Sequence, residues 1–498
     1  MPAIITDKFR IHNSEQFQEA FSETSGNTMY LGIGRPQAFA TSTRGDGRTN
    51  NEGTDVAPLT PTDNLNAQHF PFDDLMAAKK ISASDVTFAV PRRNWTTGTT
   101  YDIYRHDYEE FITGSTTTRQ TANSGATTLF DATFYVLTTD RNVYKCLDND
   151  GNTASTVEPT GTGTSIITTG DGYKWKYMYT LSAAQQANFL STDFMAVGTD
   201  STVSAAAVDG ALDTVKIKTA GSSYTVSGGG TSGTITAVPI RGDGSGGVCS
   251  ITLTSGAVTA VTVTTAGTGY TSGYIRNADI LAATNAGGAG SGAELDVIIP
   301  PKGGHGFDAV EELGGFFVML NTSLEGTESS NSGDFTAAND FRKISLIKNP
   351  KNAAGSAASA TTLRGTYAVK IAASPTPGTF TPDEEINQAS TGAVGIVVEW
   401  DSTNKILYYV QTRHNDAGAD SNGNVTAFSG ANVITGQTSS ATGTPDASTQ
   451  TVNNVSFTSG YSAPELKHDS GDLLYVENRT KITRATDQTE NIKLIIEF

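Results

Sequence analysis

Positive charge is in short supply in this sequence. Its 498 residues carry 33 Lys and Arg against 51 Asp and Glu, 33 − 51 = −18 with His neutral. Such a surface repels a phosphate backbone, and no Lys/Arg cluster offsets it, which argues against general nucleic-acid binding. Charged residues of both signs make up only 17%, below the roughly 25% usual in soluble domains. Cysteine is scarcer still. Cys146 and Cys249 stand 249 − 146 = 103 residues apart, which fits neither a disulfide framework nor a zinc ligand set. Both are expected to be reduced and buried, in a protein made in a reducing cytosol. Long apolar runs are also missing. Phe316–Leu320 and Leu494–Ile496 are the longest candidates, far short of the roughly 18 residues that a spanning helix needs. Asp7, Lys8, Arg10 and Glu15 occupy the place of a signal peptide's apolar stretch, so no secretion signal is expected.

What is present suffices for a core. Apolar residues are 37% and glycine accounts for 52 positions, so wholesale disorder is excluded. Short alternating or β-branched runs dominate: Phe134–Leu137, Val143–Leu147, Tyr173–Tyr179, Ile344–Ile347, Leu473–Val476 and Ile492–Phe498. Each is bounded by Gly, Asn, Asp, Ser or Thr and reads as a strand. Helical signals are few: Ser14–Phe21 with an apolar i, i+3, i+4 set, Asp73–Lys80 with acids first and lysines last, Ser182–Leu190 and Phe307–Leu313. The pattern predicts a mainly β fold with a few short helices.

Two internal repeats stand out. Val215, Ile217, Thr219-Ala220-Gly221 and Tyr224 recur as Val261, Val263, Thr265-Ala266-Gly267 and Tyr270, an offset of 261 − 215 = 46. Asp213–Ile299 holds 17 Gly and 9 charged residues in 87, and reads as a separate β module made of a duplicated unit. Phe380, Ile386, Ala393 and Gly395 reappear more weakly as Phe428, Ile434, Ala441 and Gly443, an offset of 428 − 380 = 48. Between them, Ile396–Trp400 and Ile406–Val410 flank an Asp-Ser-Thr-Asn turn, a hairpin signal.

The residues offer little catalytic chemistry. Six histidines (His12, His69, His106, His305, His414 and His468) are scattered without metal-ligand or base-catalyst spacing. His468-Asp469-Ser470 reads as a polar turn, because a triad is assembled from separate segments. Gly242–Gly247 imitates a phosphate loop, but the strand-like Val248–Leu253 follows it where a helix would have to begin. Asp148–Asn152 and Asp420–Asn424 alternate oxygen ligands as calcium loops do; both lack the distal Glu, position twelve being Pro159 and Ala431. Asx-turns explain them better. Arg44-Gly45-Asp46 and Arg241-Gly242-Asp243 spell an adhesion tripeptide and read as glycine turns.

One constellation points outward. Arg92 and Arg93 stand beside Trp95 at the end of the apolar run Val86–Val90. The three are candidate partner-contact residues, able to stack on or grip a partner carboxylate. The competing reading is an internal salt bridge with Trp95 in the core. In Tyr173–Tyr179, alternation sends Tyr173, Trp175, Tyr177 and Tyr179 to one face and Lys174 and Lys176 to the other, as in a half-buried strand.

These strings occur in a telling order. Ala3-Ile4-Ile5 and Lys8-Phe9-Arg10 come first, followed by Gly34-Arg35, Pro61-Thr62-Asp63 and Val90–Trp95. Tyr144–Leu147, Glu158-Pro159, Asp171–Trp175, Phe341–Ser345 and Asn349-Pro350 follow. His468, Ser470-Gly471, Tyr475–Arg479 and Asp487–Glu490 close the series. The series resembles the baseplate wedge subunit family of T4-type contractile-tailed phages. It covers roughly 1–200, 301–355 and 460–498 and leaves out the two repeat modules. The resemblance implies a layered β-sandwich body with short helices in long loops, and a homodimer that joins other baseplate wedge proteins. It implies a virion location in the tail baseplate, and no catalytic residue, metal or cofactor.

The organisation expected is therefore a wedge body in three parts (1–200, 301–355 and 461–498), interrupted by inserted β modules at 201–300 and 356–460. The function expected is structural, without enzyme activity, nucleic acid or membrane. The alternative is a receptor-binding or tail-spike protein acting on host-surface polysaccharide, whose two carboxylates would have to meet in space.

Overall fold

The computed structural model describes residues 4–23, 27–43, 49–65, 68–108, 122–327, 335–336, 339–413, 422, 424–483 and 489–498. The fold is mainly β, with short helices, as expected. It comprises two compact units, one of 1–16, 87–319 and 495–498, the other of 17–86 and 320–494.

The first unit is centred on an antiparallel sheet in the order Ile167–Thr168, Lys174–Thr180, Asn142–Asp148, Tyr135–Leu137. Pleating sends alternate side chains to opposite faces. Tyr135, Leu137, Val143 and Met178 pack with Ala89, Val90, Met195 and Ala196 from the pair of strands Val86–Pro91 and Phe194–Ala196. Val136, Tyr144, Cys146, Trp175 and Tyr177 form a second core with Tyr101, Ile103, Tyr173 and Val203. The sheet is thus covered by apolar cores on both sides.

Tyr179 departs from the expected face. Tyr177 opposes Tyr144 and Tyr179 opposes Val143, leaving Met178 as the extra residue of a bulge. That one residue turns Tyr179 into the first core while Tyr173, Trp175 and Tyr177 stay in the second. The lysine face is not solvent either, since Lys176 is buried.

Within this unit, residues 212–299 have their own core around Leu212, Tyr224, Ile235, Ile251, Tyr270 and Ile280. The strand pairing carries the 46-residue offset. Val215 opposes Val297 and Ile217 opposes Leu295 in one ladder; Val261 opposes Ile251 and Val263 opposes Cys249 in the other. Val261 and Val263 lie 46 positions after Val215 and Ile217, and their partners Ile251 and Cys249 lie 46 before Val297 and Leu295. Both ladders slip at the same place, after Ile217 and after Val263. Strands are exchanged between the repeats: Val215–Ser222 of the first unit pairs with Ser291–Val297 of the second, and Ala257–Thr265 of the second with Val248–Thr254 of the first. Symmetry fails at Gly233–Pro239, a strand whose counterpart region carries the helix Asn277–Ala282.

The second unit has a five-stranded sheet in the order Thr362–Arg364, Leu75–Ile81, Met29–Gly34, Phe341–Lys348, Asp472–Ile482. Leu75–Ile81 corrects an expectation, because 73–80 was read as a helix. The helix is only Phe70–Asp73. Leu75–Ala78 are all buried between the neighbouring strands, and this tertiary burial overrides the end charges that favour a helix. The helix expected over Ser14–Phe21 instead runs Asp7–Glu19, beginning about two turns earlier. Two further helix expectations hold closely: Ser182 caps Ala183–Phe189 through Gln185 N, and Asp308 caps Ala309–Leu313 through Val310 N and Glu311 N.

A seven-stranded sheet in the same unit has its own core of Phe380, Ile386, Ala393, Phe428, Ile434 and Ala441. Ile386 opposes Gly395 in one hairpin and Ile434 opposes Gly443 in the next. Asn387 pairs across with Thr435, its own counterpart 48 residues on, so the two hairpins are related by a local pseudo-two-fold axis. The turn after Asp401 is an Asx-turn, with Oδ1 accepting Thr403 N at 3.0 Å and Asn404 N at 2.9 Å. Among the described residues no helix is long and apolar enough to cross a membrane.

Candidate partner-contact site

Strand Val86–Pro91 ends at a proline, and the chain then runs beside Tyr135–Leu137. Trp95 N donates to Leu137 O at 2.9 Å, and Leu137 N to Arg93 O at 2.7 Å. This ladder brings Arg92, Arg93 and Trp95 together, all three half-buried. Arg92 donates to Ser191 O at 2.7 Å and to Asn94 Oδ1 at 2.9 Å. Arg93 donates to Ala132 O, and to Phe130 O at 2.9 Å. Its guanidinium lies 4.6 Å from the centre of the Tyr135 ring. Burial pushes the Tyr135 hydroxyl up to about 12, against the pull of Arg93. The arginines thus hold backbone carbonyls of the fold.

Trp95 packs against the second core, and its Nε1 donates to Ser155 Oγ at 3.1 Å. Ser155 Oγ in turn donates to Asp171 Oδ2 at 3.1 Å. Asp171 also accepts from Thr156 N at 2.7 Å, Val157 N at 3.0 Å and Thr169 Oγ1. Burial works against its charge, but these donors outweigh it and hold the carboxyl at about 2. A carboxyl depressed in the fold stabilises above its ordinary value near 3.8 and loses that contribution as pH falls to about 2. Thermal unfolding of the wild type is therefore expected to weaken between pH 4 and pH 2. Asp171→Asn should lower the melting temperature at pH 7 and flatten that acid limb. An unchanged acid limb in the variant would remove Asp171 from this role.

The motifs set aside above find other uses. Gly244 is glycine because an added Cβ would lie 2.5 Å from the Tyr270 ring, so the glycine loop cradles a tyrosine. Arg241 pairs with Asp279 at 2.8 Å, while Asp243 accepts Thr271 N and Ser272 N, both at 2.9 Å. The carboxylate of Asp148 is taken by Lys216 at 2.8 Å, and Asn149 makes the turn by accepting Asn152 N at 3.2 Å. His468 contacts Gly365 O, Asp469 binds Arg413, and Ser470 donates to Lys467 O; these three side chains serve separate partners. Arg44-Gly45-Asp46, His414 and most of Asp420–Asn424 lie outside the described residues.

Sequence reasoning missed the buried charges. In the first unit Lys145, with no exposed surface, is paired with Glu312. Glu312 also accepts Gly306 N at 2.8 Å and Asp308 N at 3.2 Å. The ammonium of Lys145 sits 5.0 Å from the centre of the Tyr104 ring, which meets His305 edge-on at 4.9 Å. Burial pulls Lys145 down while Glu312 holds it up; burial pulls Lys176 down and raises Asp213. Burial, then Lys145 and Lys176, keep His305 neutral, well below its ordinary value. The titratable set resembles a reactive centre in its shifts, but Lys145, Glu312 and His305 are all buried. It pins strand to helix. A Lys inside the apolar run Val143–Leu147 was the one visible signal. Nearby, a cleft of about 440 Å³ is lined by Asp102, Arg105, Lys216 and Asp296 among others. Its polar lining is internally paired, Arg105 with Asp107 and Asp296, and Lys216 with Asp148.

Among the described residues, Arg92, Arg93 and Trp95 come together half-buried on a β-rich scaffold. Residues 3–219 match the family described as "Bacteriophage T4, Gp8". An alignment of 209 residues is 23% identical to "Baseplate wedge protein gp8" of Enterobacteria phage T4. It covers 39% of this chain, and the chain spans about 60% of that protein's length. The resemblance to the T4-type baseplate wedge subunit read from the sequence motifs therefore holds over residues 3–219.

Proposed function

We propose that this chain is a structural subunit of a phage tail baseplate wedge, acting in the virion by binding neighbouring wedge proteins and a second copy of itself, without catalysis. The observation that carries this reading is the match of residues 3–219 to a baseplate wedge family. The mechanism is shape and charge complementarity between packed β surfaces. Arg92, Arg93 and Trp95 are the contact set, held ready by Ser191, Tyr135 and Ser155 so that little side-chain freedom is lost on binding. Residues 201–300 and 356–460 are insertions into the wedge body. The adjacent Val215 and Val297 bring the ends of the first one together, as an insertion into a loop requires.

The test is co-assembly. The full chain, mixed with the purified neighbouring wedge proteins of the same phage, is expected to co-elute with them as a defined complex and to elute alone as a dimer. Arg92→Ala should weaken that complex about tenfold, as a truncated interface arginine does, with only a small fall in melting temperature from the lost Ser191 contact. A chain that stays apart from every wedge protein defeats the reading.

A further inference from the structure

The duplicated module carries an exposed constellation that stands outside its core of Leu212, Tyr224 and Tyr270. Its short strands Arg241–Gly242 and Gly273–Tyr274 pair with Arg241 opposite Tyr274 and Gly242 opposite Gly273. The ladder is close enough to require glycine, since a Cβ added at Gly242 would stand 2.0 Å from Ser272 O. Residues directly opposite one another across two strands share a face, so Arg241 and Tyr274 lie on one surface. Asp279, in the helix Asn277–Ala282, ties Arg276 to the same place. Its carboxylate accepts Arg241 Nη2 at 2.8 Å and Nε at 3.2 Å, and Arg276 Nε at 2.7 Å and Nη2 at 3.1 Å. Tyr274 lies within electrostatic reach of both guanidiniums.

These side chains are held but not used up. Tyr274 is 53% exposed, and the side chains of Arg241 and Arg276 are 45% and 54% exposed. Because each arginine gives Nε and Nη2 to the buried Asp279, both Nη1 groups are left without an acceptor among the described residues. The framework does not account for them either. The 46-residue offset puts Gly287, Gly228, Gly230 and Gly233 at the counterparts of Arg241, Tyr274, Arg276 and Asp279. The other copy is therefore built with no ring and no charge at those positions. Asp243 is occupied elsewhere: it accepts Thr271 N and Ser272 N, both at 2.9 Å, and both hydroxyls. Arg241-Gly242-Asp243 thus does not act as a unit.

We propose that Arg241, Tyr274 and Arg276 form a docking point for a neighbouring baseplate protein, one that sets an Asp or Glu carboxylate against the guanidinium edges and lays an apolar side chain on the Tyr274 ring. The proposal rests on the baseplate wedge reading given above and extends it beyond the matched residues 3–219. Charge decides the occupant. Two arginines over one carboxylate leave 2 − 1 = +1 at this place, on a chain of net charge −18. A single carboxylate needs only the local fork geometry, whereas a polyanionic glycan or nucleic acid would be repelled by the surrounding acidic surface. A second copy related by a two-fold axis through this point would bring arginine against arginine. Arg and Tyr are also the side chains that carry much of the energy in protein contacts, and forks already fixed by Asp279 lose little freedom on binding.

The experiment measures binding of the full chain to the purified neighbouring baseplate proteins of the same phage, at about 50 mM and about 200 mM salt, with heparin as a polyanion probe. Tyr274→Ser is expected to raise Kd for one of these proteins about tenfold. Arg276→Gln is expected to raise it about fivefold at the lower salt, and less at the higher; Arg276→Lys, which keeps the charge and loses the fork, should recover only part of that. Melting temperatures should change little, because Tyr274 is at the surface and Arg241 still holds Asp279 in the Arg276 variants. Wild-type binding with unchanged Kd in the variants overturns this docking point and leaves the wedge reading standing. Heparin binding that the variants lose assigns the point to a polyanion and overturns it. Variants that lose self-association while keeping their neighbours assign it to a second copy and overturn it as well. A wild type that binds no baseplate protein overturns both readings.

Discussion

Lys145→Met is expected to destabilise the chain by about 3–5 kcal/mol, one of the two largest single-residue effects the structure predicts. The physical reason is asymmetry. Both charges are out of water, so their attraction roughly offsets the cost of dehydrating them, and the pair itself adds little net stability. Removing one partner leaves the other buried with its full dehydration cost. Glu312 would retain Gly306 N and Asp308 N as donors, but its ionic partner would be gone. Adding Glu312→Gln to Lys145→Met should recover much of the loss, because the amide oxygen still accepts one backbone N–H and carries no charge. Glu312→Leu should recover less, since it orphans both donors. Denaturant midpoints followed by the fluorescence of buried Trp175 would report the series. A Lys145→Met variant within about 1 kcal/mol of wild type would mean that water reaches this pair and that it is not buried in solution.

The same pair shows where sequence reasoning stops. Lys145 and Glu312 are 312 − 145 = 167 residues apart, and nothing local in either segment announces the other. Arg35 and Lys343, both buried against Asp74 in the second unit, are hidden in the same way. What could be read was periodic. The strands Tyr135–Leu137 and Asn142–Asp148 were legible because their side chains alternate between two apolar cores. The repeat offsets were legible because identical spacing of Val, Gly and Tyr survives without any knowledge of the fold. Single-residue events were not. The Met178 bulge sends Tyr179 to another core with no turn residue to mark it. Leu75–Ile81 became a strand because two neighbouring strands bury it, a decision taken outside its own sequence. Of the contact set, the proximity of Arg92, Arg93 and Trp95 was visible; that the arginines hold backbone carbonyls of Ser191, Phe130 and Ala132 was not.

Gly290→Ala is expected to cost about 3–4 kcal/mol and to loosen both copies of the 46-residue unit together. At φ +122, an added Cβ would stand 2.3 Å from Tyr224 Cδ1. A strained backbone and a collision with a fully buried ring then add, the first worth about 1–2 kcal/mol and the second about 1–3 kcal/mol. Its counterpart 46 residues earlier, Gly244, meets Tyr270 at 2.5 Å, so Gly244→Ala should cost the collision alone. Gly228, at φ +88 with open space around it, supplies the reverse control: strain without collision, about 1 kcal/mol. The spread of the damage is the sharper readout. Tyr224 of the first repeat accepts Ala293 N of the second at 3.2 Å, and Tyr270 of the second accepts Gly247 N of the first at 3.0 Å. Because strands are exchanged in the same way, each of these two ladders joins one repeat to the other. Hydrogen exchange in Gly290→Ala should therefore rise in Val248–Thr254 as well as in Ser291–Val297. Exchange confined to the second of these strands would show that the two ladders open independently, and that the duplication built two neighbours instead of one cooperative module.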